Sequence, residues 1–218
     1  MVARKHAGRY IITDADHKHI ATAIRKAEAK TSGEIYVVLA GESDDYFYPA
    51  CCVMSFVTLV LAIICAFWMH WSWRDIPLHY FGFGMLCFFI LSVLYLLFIP
   101  SLRLWVTPPY IKKQRAHLNA MRQFIAHNVH RTRHRTAVLL FISLAERYAE
   151  VIADTGINEN VAPCEWQEIV DILTSHARKG LLVDGYIKAI GRAGKLLGQY
   201  FPASSHDENV LPDHLIEL

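Results

Sequence analysis

Residues 46–73 contain no Asp, Glu, Lys or Arg, and after the pair Arg74-Asp75, residues 76–102 hold a second such stretch. Within them, 50–71 and 80–99 are each long enough to cross about 30 Å of hydrocarbon, which takes a helix of ~20 apolar residues. Pro49 stands before the first run and Pro100 after the second, where a proline removes no helix-interior hydrogen bond. Trp68, Trp71, Trp73 and Tyr80 gather around the connection, and Tyr46, Tyr48, Trp105 and Tyr110 around the opposite end. Such aromatic clusters mark the two interfaces of a bilayer. Two helices that are apolar on every face need either a much larger protein or lipid around them. The pattern predicts a transmembrane hairpin.

Outside the hairpin the apolar positions become periodic. Thr13 and Asp16 have the spacing of a capping box, with Asp in the place usually held by Glu or Gln, and Ile20, Ile24 and Ala27 then recur at helical spacing. Lys30-Thr31-Ser32-Gly33 ends that helix, and 34–40 (EIYVVLA) reads as a strand. After the hairpin, 112–129 places Leu118, Met121, Ile125 and Val129 on one helical face. The continuous run 137–144 (AVLLFISL) predicts a strand covered on both faces. Ala145-Glu146-Arg147 turns the chain into a second strand over 148–154. Trp166, Ile169, Val170 and Leu173 mark one further helix; Leu182, Tyr186, Ala189, Ile190, Ala193 and Leu197 mark another, beyond a break at Gly180. The ending NVLPDHLIEL is apolar enough to dock, with no clear element of its own.

One helix and one strand cannot form a stable core, and the apolar strand at Ala137 needs neighbours. The two flanks are therefore expected to build a single α/β domain, its first part in residues 1–48 and the remainder in 101–218, interrupted by the hairpin at 49–100. Both flanks must then share one side of the membrane, which an even number of spans provides.

Composition and charge sharpen this picture. The chain has 218 residues, 54% hydrophobic and 19% charged, with a mean hydropathy of +0.24, which excludes a disordered chain. The net charge of +2 gives no reason to expect a nucleic-acid partner. Between Ile76 and Ala145 there is no acidic residue, while Arg103, Lys112, Lys113, Arg115, Arg122, Arg131, Arg133 and Arg135 all fall there. Basic residues beside span ends favour the cytoplasmic face. Both termini are thus expected in the cytoplasm, with the Arg74 loop outside. The opening MVARKHAGRYIITDADHK lacks the apolar region of a secretory signal. Four of the five cysteines fall in the spans, leaving Cys164 without a disulfide partner in the flanks.

Two groups of side chains offer chemistry. Asp44 and Asp45, in the acidic loop Glu42-Ser43-Asp44-Asp45, could converge with Glu146 and Asp154 as oxygen ligands for Ca²⁺ or another divalent cation. No EF-hand spacing is present, and each has a plainer reading: a solvated loop for Asp44 and Asp45, a charged turn with a local ion pair for Glu146-Arg147, an Asx-turn or helix cap for Asp154. Lys112, Lys113, Arg115, Arg131, Arg133 and Arg135 could hold an anion, phosphate or lipid, and anionic lipid headgroups are the simpler partner just beyond a span. The chain has no Walker loop, G-x-S-x-G or H-E-x-x-H.

In order along the chain, AEAKTSGEIYVV, RTAVLLFISLAERYAEVIADTGI and GLLVDGYIKAIGRAGKLL resemble the opening helix and strand, the central strand pair and the closing helix of the TPM domain family. That family is named for a thylakoid lumen protein, a photosystem II repair protein and a receptor-modulating protein. Within that family the chain resembles the bacterial membrane-protein branch, in which a hairpin separates the two parts, which implies a bacterial inner membrane. The resemblance implies a small α/β/α sandwich carrying an inserted transmembrane hairpin. It also implies either of two functions: binding or assembly within a membrane protein complex, or a divalent-cation-dependent phosphatase, since some members are associated with acid phosphatase activity or calcium.

Overall fold

The structure is a computed structural model that describes residues 5–6, 9–10, 12–72, 77–126, 136–203 and 214–218. It divides into two compact units, one made of Met1–Ser43 with Arg115–Leu218 and the other of Asp44–Gln114.

In the first unit, a short antiparallel pair, β1 (Lys5–His6) and β2 (Arg9–Tyr10), precedes α1 (Asp14–Glu28). Thr13 and Asp16 close the capping box at its start. The Asp16 Oδ2 accepts from the Thr13 backbone at 3.0 Å and the Thr13 hydroxyl at 2.7 Å, and the Asp16 N–H donates back to Thr13 Oγ1 at 3.3 Å. Aspartate, one methylene shorter than glutamate, still reaches both donors. Burial alone would raise the Asp16 pKa, but these hydrogen bonds, helped by nearby positive charge from His19, outweigh it and leave the carboxyl below its ordinary value.

The sheet is mixed and four-stranded. β3 (Glu34–Ala40) pairs in parallel with β4 (Ala137–Ser143), from Glu34 opposite Ala137 to Ala40 opposite Ser143. β4 turns back into β5 (Tyr148–Ala153) as an antiparallel partner. The C-terminal segment forms β6 (Leu215–Glu217), parallel to β3 on its other side, giving the order β5-β4-β3-β6. Every residue of β3 and β4 is buried, as the apolar run of β4 predicts, and that includes the polar Glu34 and Ser143. β6 is where the docking of the C-terminal tail takes shape. Three residues between a proline and the chain end give too short a period to read as a strand, and pairing with β3 supplies what local propensity does not.

Helices cover both faces of the sheet. On one, Ile35, Val37, Leu39, Val138, Leu140 and Ile142 pack with α1, α7 (Pro163–Arg178) and α8 (Leu182–Tyr200). The short α6 (Thr155–Asn158) adds Ile157 to that core. On the other, Tyr36, Val38, Leu139 and Phe141 pack with Ala120 and Phe124 of α5 (Pro109–Ala126). The buried stripe of α5 is Ala116, Ala120 and Phe124, whereas Leu118, Met121 and Ile125, which share a helical face, are exposed, and Val129 lies outside the described residues. The small alanines let the helix lie close over a sheet face crowded with tyrosine and phenylalanine. The larger side chains are left on the opposite stripe.

α8 approaches its neighbours through glycines. A Cβ on Gly194 would lie 2.6 Å from the Ala27 Cβ of α1, and one on Gly185 would lie 2.8 Å from the His176 Cβ of α7. Gly180, between α7 and α8, has φ +75°, a left-handed conformation that glycine adopts without a side-chain clash.

The second unit holds the two apolar helices, α2 (Phe47–Trp71) and α3 (Leu78–Phe98), packed together and followed by α4 (Pro100–Val106). Both α2 and α3 (the latter from His79) are long and apolar enough to cross a membrane. Pro49 falls inside the first turn of α2, which begins at Phe47 after Tyr46 at φ 55°, rather than ahead of the helix. Pro100 breaks α3 and opens α4 as its first residue, so helical structure continues past it.

Two measurements probe this packing. Gly194→Ala should destabilise the protein by about 1–3 kcal/mol through overpacking against Ala27, read as a lower midpoint in thermal unfolding followed by circular dichroism in detergent. For the capping box, a carboxyl depressed in the folded state contributes stability above its unfolded pKa of about 4, and that contribution fades as pH falls through the folded value. The midpoint difference between wild type and Asp16→Ala, worth about 1 kcal/mol near neutrality, should therefore shrink below pH ~4. A difference independent of pH would contradict the role assigned to the carboxylate.

Candidate functional site

The carboxyl ends of parallel strands are where open α/β sheets build ligand sites, and a polar cluster sits at the ends of β3 and β4. Gly41 carries the chain past β3, its N–H donating to Leu218 O at 3.0 Å and its carbonyl accepting from Ala145 N at 3.1 Å. Ser43 follows, with its N–H donating to Glu146 Oε1 at 2.8 Å and its hydroxyl to the Ser143 hydroxyl at 2.8 Å. Ser143 is buried and in turn donates to Glu146 Oε2. The carboxylate thus ends a chain of two hydroxyls and also holds a backbone donor. The tight turn that presents it passes through Arg147 at φ 53°. Chemically this is a proton-accepting carboxylate in series with two serines. Mechanically, it fastens the segment after β3 to the end of β4.

A second cluster joins α5 to β5. His117 Nδ1 lies 2.9 and 3.0 Å from the two Glu150 oxygens, and the Tyr148 hydroxyl donates to Glu150 Oε2 at 3.1 Å. An ionised carboxylate only accepts, so Nδ1 carries the hydrogen. Burial, followed by the adjacent Glu150 charge and its hydrogen bond, holds the Tyr148 phenol well above its ordinary range.

Two of the residues expected to share a cation, Glu146 and Asp154, lie at opposite ends of the β4–β5 pair. Glu146 follows β4 and Asp154 follows β5. The antiparallel register sets Ser143 opposite Tyr148 at one end and Val138 opposite Ala153 at the other, so the length of a strand, roughly 20 Å, separates them. Asp154 takes the helix-cap role instead: its Oδ1 accepts from the Thr155 N–H at 2.6 Å and the Thr155 hydroxyl at 3.1 Å, at the start of α6. Its Oδ2 is buried without a hydrogen-bond partner among the described residues. Glu146 engages Ser43 and Ser143, as described. Asp44 Oδ1 accepts from the Asp45 N–H at 2.8 Å. Among the described residues, no group of three or more His, Cys, Asp or Glu side chains is arranged to hold a metal.

Asp45 belongs to a staple within the second unit. It pairs with Arg103, whose Nε donates to Leu96 O at 2.7 Å and whose Nη2 donates to Leu97 O at 3.0 Å, with the guanidinium 5.3 Å from the centre of the Phe47 ring. The last carbonyls of a helix lack intrahelical donors and sit at its negative end. Arg103 satisfies two carbonyls at the end of α3 while tying that end to the residues that open α2. The sequence does carry a signal for it: Arg103 is the first charged residue after a long uncharged stretch.

Of the expected anion-binding residues, Lys113 and Arg115 are exposed on α5, and Lys112 is half-buried. Arg131, Arg133 and Arg135 lie outside the described residues, as do Arg74 and Trp73 of the hairpin connection. All five cysteines are free.

Removing the Glu146 carboxylate strips the acceptor from one backbone and one hydroxyl donor. Glu146→Ala should cost about 2 kcal/mol, read as a lowered thermal midpoint, with Glu146→Gln intermediate because its amide oxygen still accepts. Equal midpoints for all three proteins would show that the cluster does not fasten the segment after β3.

No family model matches the chain, and no curated protein matches it. Among solved structures, it is similar to the BA42 protein from the psychrophilic bacterium Bizionia argentinensis, determined by NMR. The TM-score is 0.58 at 19% sequence identity, over 96% of this chain and 97% of that one. At that identity the similarity is one of fold.

Proposed function

We propose that this protein is an integral membrane protein whose helical hairpin holds a TPM-like α/β domain at the cytoplasmic face of a bacterial inner membrane, where the domain acts as a binding or assembly module. One observation carries the reading. In the most apolar windows of α2 and α3, only 11% and 6% of residues are buried. A core helix of a soluble protein would be mostly covered, whereas Phe56, Phe67, Trp71, Phe83, Leu91 and Phe98 stand exposed. An apolar area of that size in water is strongly unfavourable, and lipid is the solvent that removes the cost.

The pairing of β3 with β4 adds a topological argument. The strands come from opposite sides of the hairpin in sequence, so both flanks must lie on one side of any membrane the hairpin crosses. Lys112, Lys113, Arg115 and Arg122 follow the second helix without an intervening acid, which favours the cytoplasmic side. Partners fitting this placement are a membrane protein complex and anionic lipid headgroups. A phosphatase dependent on a divalent cation is the second reading. The carboxylate-serine cluster at the ends of β3 and β4 favours it by its position in the sheet.

Alkaline carbonate extraction of bacterial membranes expressing the full chain should leave the protein in the pellet, and reporters fused to either terminus should both be active in the cytoplasm. Release by carbonate would overturn the anchor, and a periplasmic C-terminus would overturn the orientation. Phosphate release from an aryl phosphate by the detergent-purified protein, dependent on Mg²⁺, Mn²⁺ or Ca²⁺ and lost in Glu146→Gln, would replace the binding-module reading with the enzymatic one.

A further inference from the structure

The outward stripe of α5 combines two features that the sheet-facing stripe lacks. Leu118, Met121 and Ile125 are 41%, 36% and 57% exposed. They recur at i, i+3 and i+7, so they form one continuous apolar strip. Arg115 and Arg122 lie at i−3 and i+4 from Leu118, beside that strip, and both are exposed. α5 contains no acidic residue. Another side of the helix is already committed: Ala120 and Phe124 lie on the sheet, Ala116 is buried, and His117 is held by Glu150. The strip is therefore unlike an ordinary solvent face, which would carry charges of both signs and few large aliphatic groups. An apolar strip edged with arginine is the surface of a helix that lies in a membrane interface, its aliphatic groups in the acyl boundary and its guanidinium groups at the phosphates.

We infer that the outward face of α5, formed by Leu118, Met121 and Ile125 with Arg115 and Arg122, docks on the surface of an anionic lipid bilayer. The charge complementarity is one-signed. The chain also delivers the helix to that surface, because only the seven-residue α4 and a short connection separate α5 from the end of α3. The exposed Trp105 lies in α4 and the exposed Tyr110 in the first turn of α5, and aromatic residues of this kind favour the headgroup region. The inference deepens the membrane reading above by naming lipid as the partner of a specific face. It relies on that reading only for the tether.

The test uses the full chain in nanodiscs, with the photo-crosslinking residue benzoylphenylalanine placed at position 121, or at position 171 on the exposed side of α7 as a control. Docking predicts lipid adducts by mass spectrometry at 121 and not at 171. Adduct yield should be about thirtyfold higher with phosphatidylglycerol than with phosphatidylcholine alone, reflecting attraction of two arginines to a negative surface. The double variant Arg115→Gln, Arg122→Gln should lose that lipid preference, and a matched circular dichroism spectrum would show that its fold is retained. Crosslinks joining two copies of the chain would overturn the inference in favour of a homotypic interface, as would equal lipid adducts at both positions or none at 121. Carbonate extraction separates the two readings. Retention in the membrane without adducts at 121 leaves the anchor standing and removes the docking face. Release by carbonate, together with adducts on added anionic vesicles, does the reverse.

Discussion

Parallel pairing of β3 with β4 is the constraint from which the rest of the molecule follows. Parallel strands cannot be joined by a tight turn; the chain must leave the end of one and return to the beginning of the other. In this protein the crossover contains α5, which covers a sheet face, and it also contains the two apolar helices of the second unit. Two helices of membrane-spanning length are thus housed within a connection that the sheet requires in any case. Because the register is fixed over seven residue pairs, from Glu34 with Ala137 to Ala40 with Ser143, any membrane crossing by that connection must end on the side where it began. A single span, or three, would pull the strands to opposite sides of the bilayer.

Polar side chains close this long connection near its base. Glu146 holds Ser43 and Ser143 at the ends of the paired strands, and Arg103 holds Asp45 and the last carbonyls of α3 within the helical unit. Both devices match a charged group to backbone groups that have lost their usual partners. Both also use carboxylates that resemble cation ligands when seen only as letters in a sequence. Glu146 accepts from the Ser43 N–H and the Ser143 hydroxyl, and Asp45 from the Arg103 guanidinium, so each carboxylate fastens the chain where it stands.

The sequence conveyed much of the fold because its strongest patterns were unambiguous. The uncharged runs, the apolar run of β4, the Thr13–Asp16 cap and the break at Gly180 each have one dominant physical interpretation. α5 was legible as a helix but not in its orientation. Leu118, Met121 and Ile125 outweigh Ala116 and Ala120 on any hydrophobic scale, yet close approach to Tyr36 and Phe141 selects the small residues. β6 escaped notice because three residues carry almost no period. The candidate site was least legible. Ser43, Ser143 and Glu146 meet through the β3–β4 register, and His117 meets Glu150 across 33 positions of sequence; neither proximity leaves a local motif.

The order in which the strands are made has a cost during synthesis. β3 emerges early as Glu34-Ile-Tyr-Val-Val-Leu-Ala, all of it destined for burial, but both of its partners lie downstream. At a translation rate of about 5–20 residues per second, the ~100 residues to β4 leave that strand unpaired for roughly 5–20 seconds, and β6 is the last element to arrive. An apolar strand with two open edges is an aggregation hazard for that whole interval. If the hairpin enters the bilayer as it is made, the nascent strand is held at the membrane, away from other ribosomes' products, until its neighbour is complete. The anchor would then serve as a folding aid before it serves the mature protein.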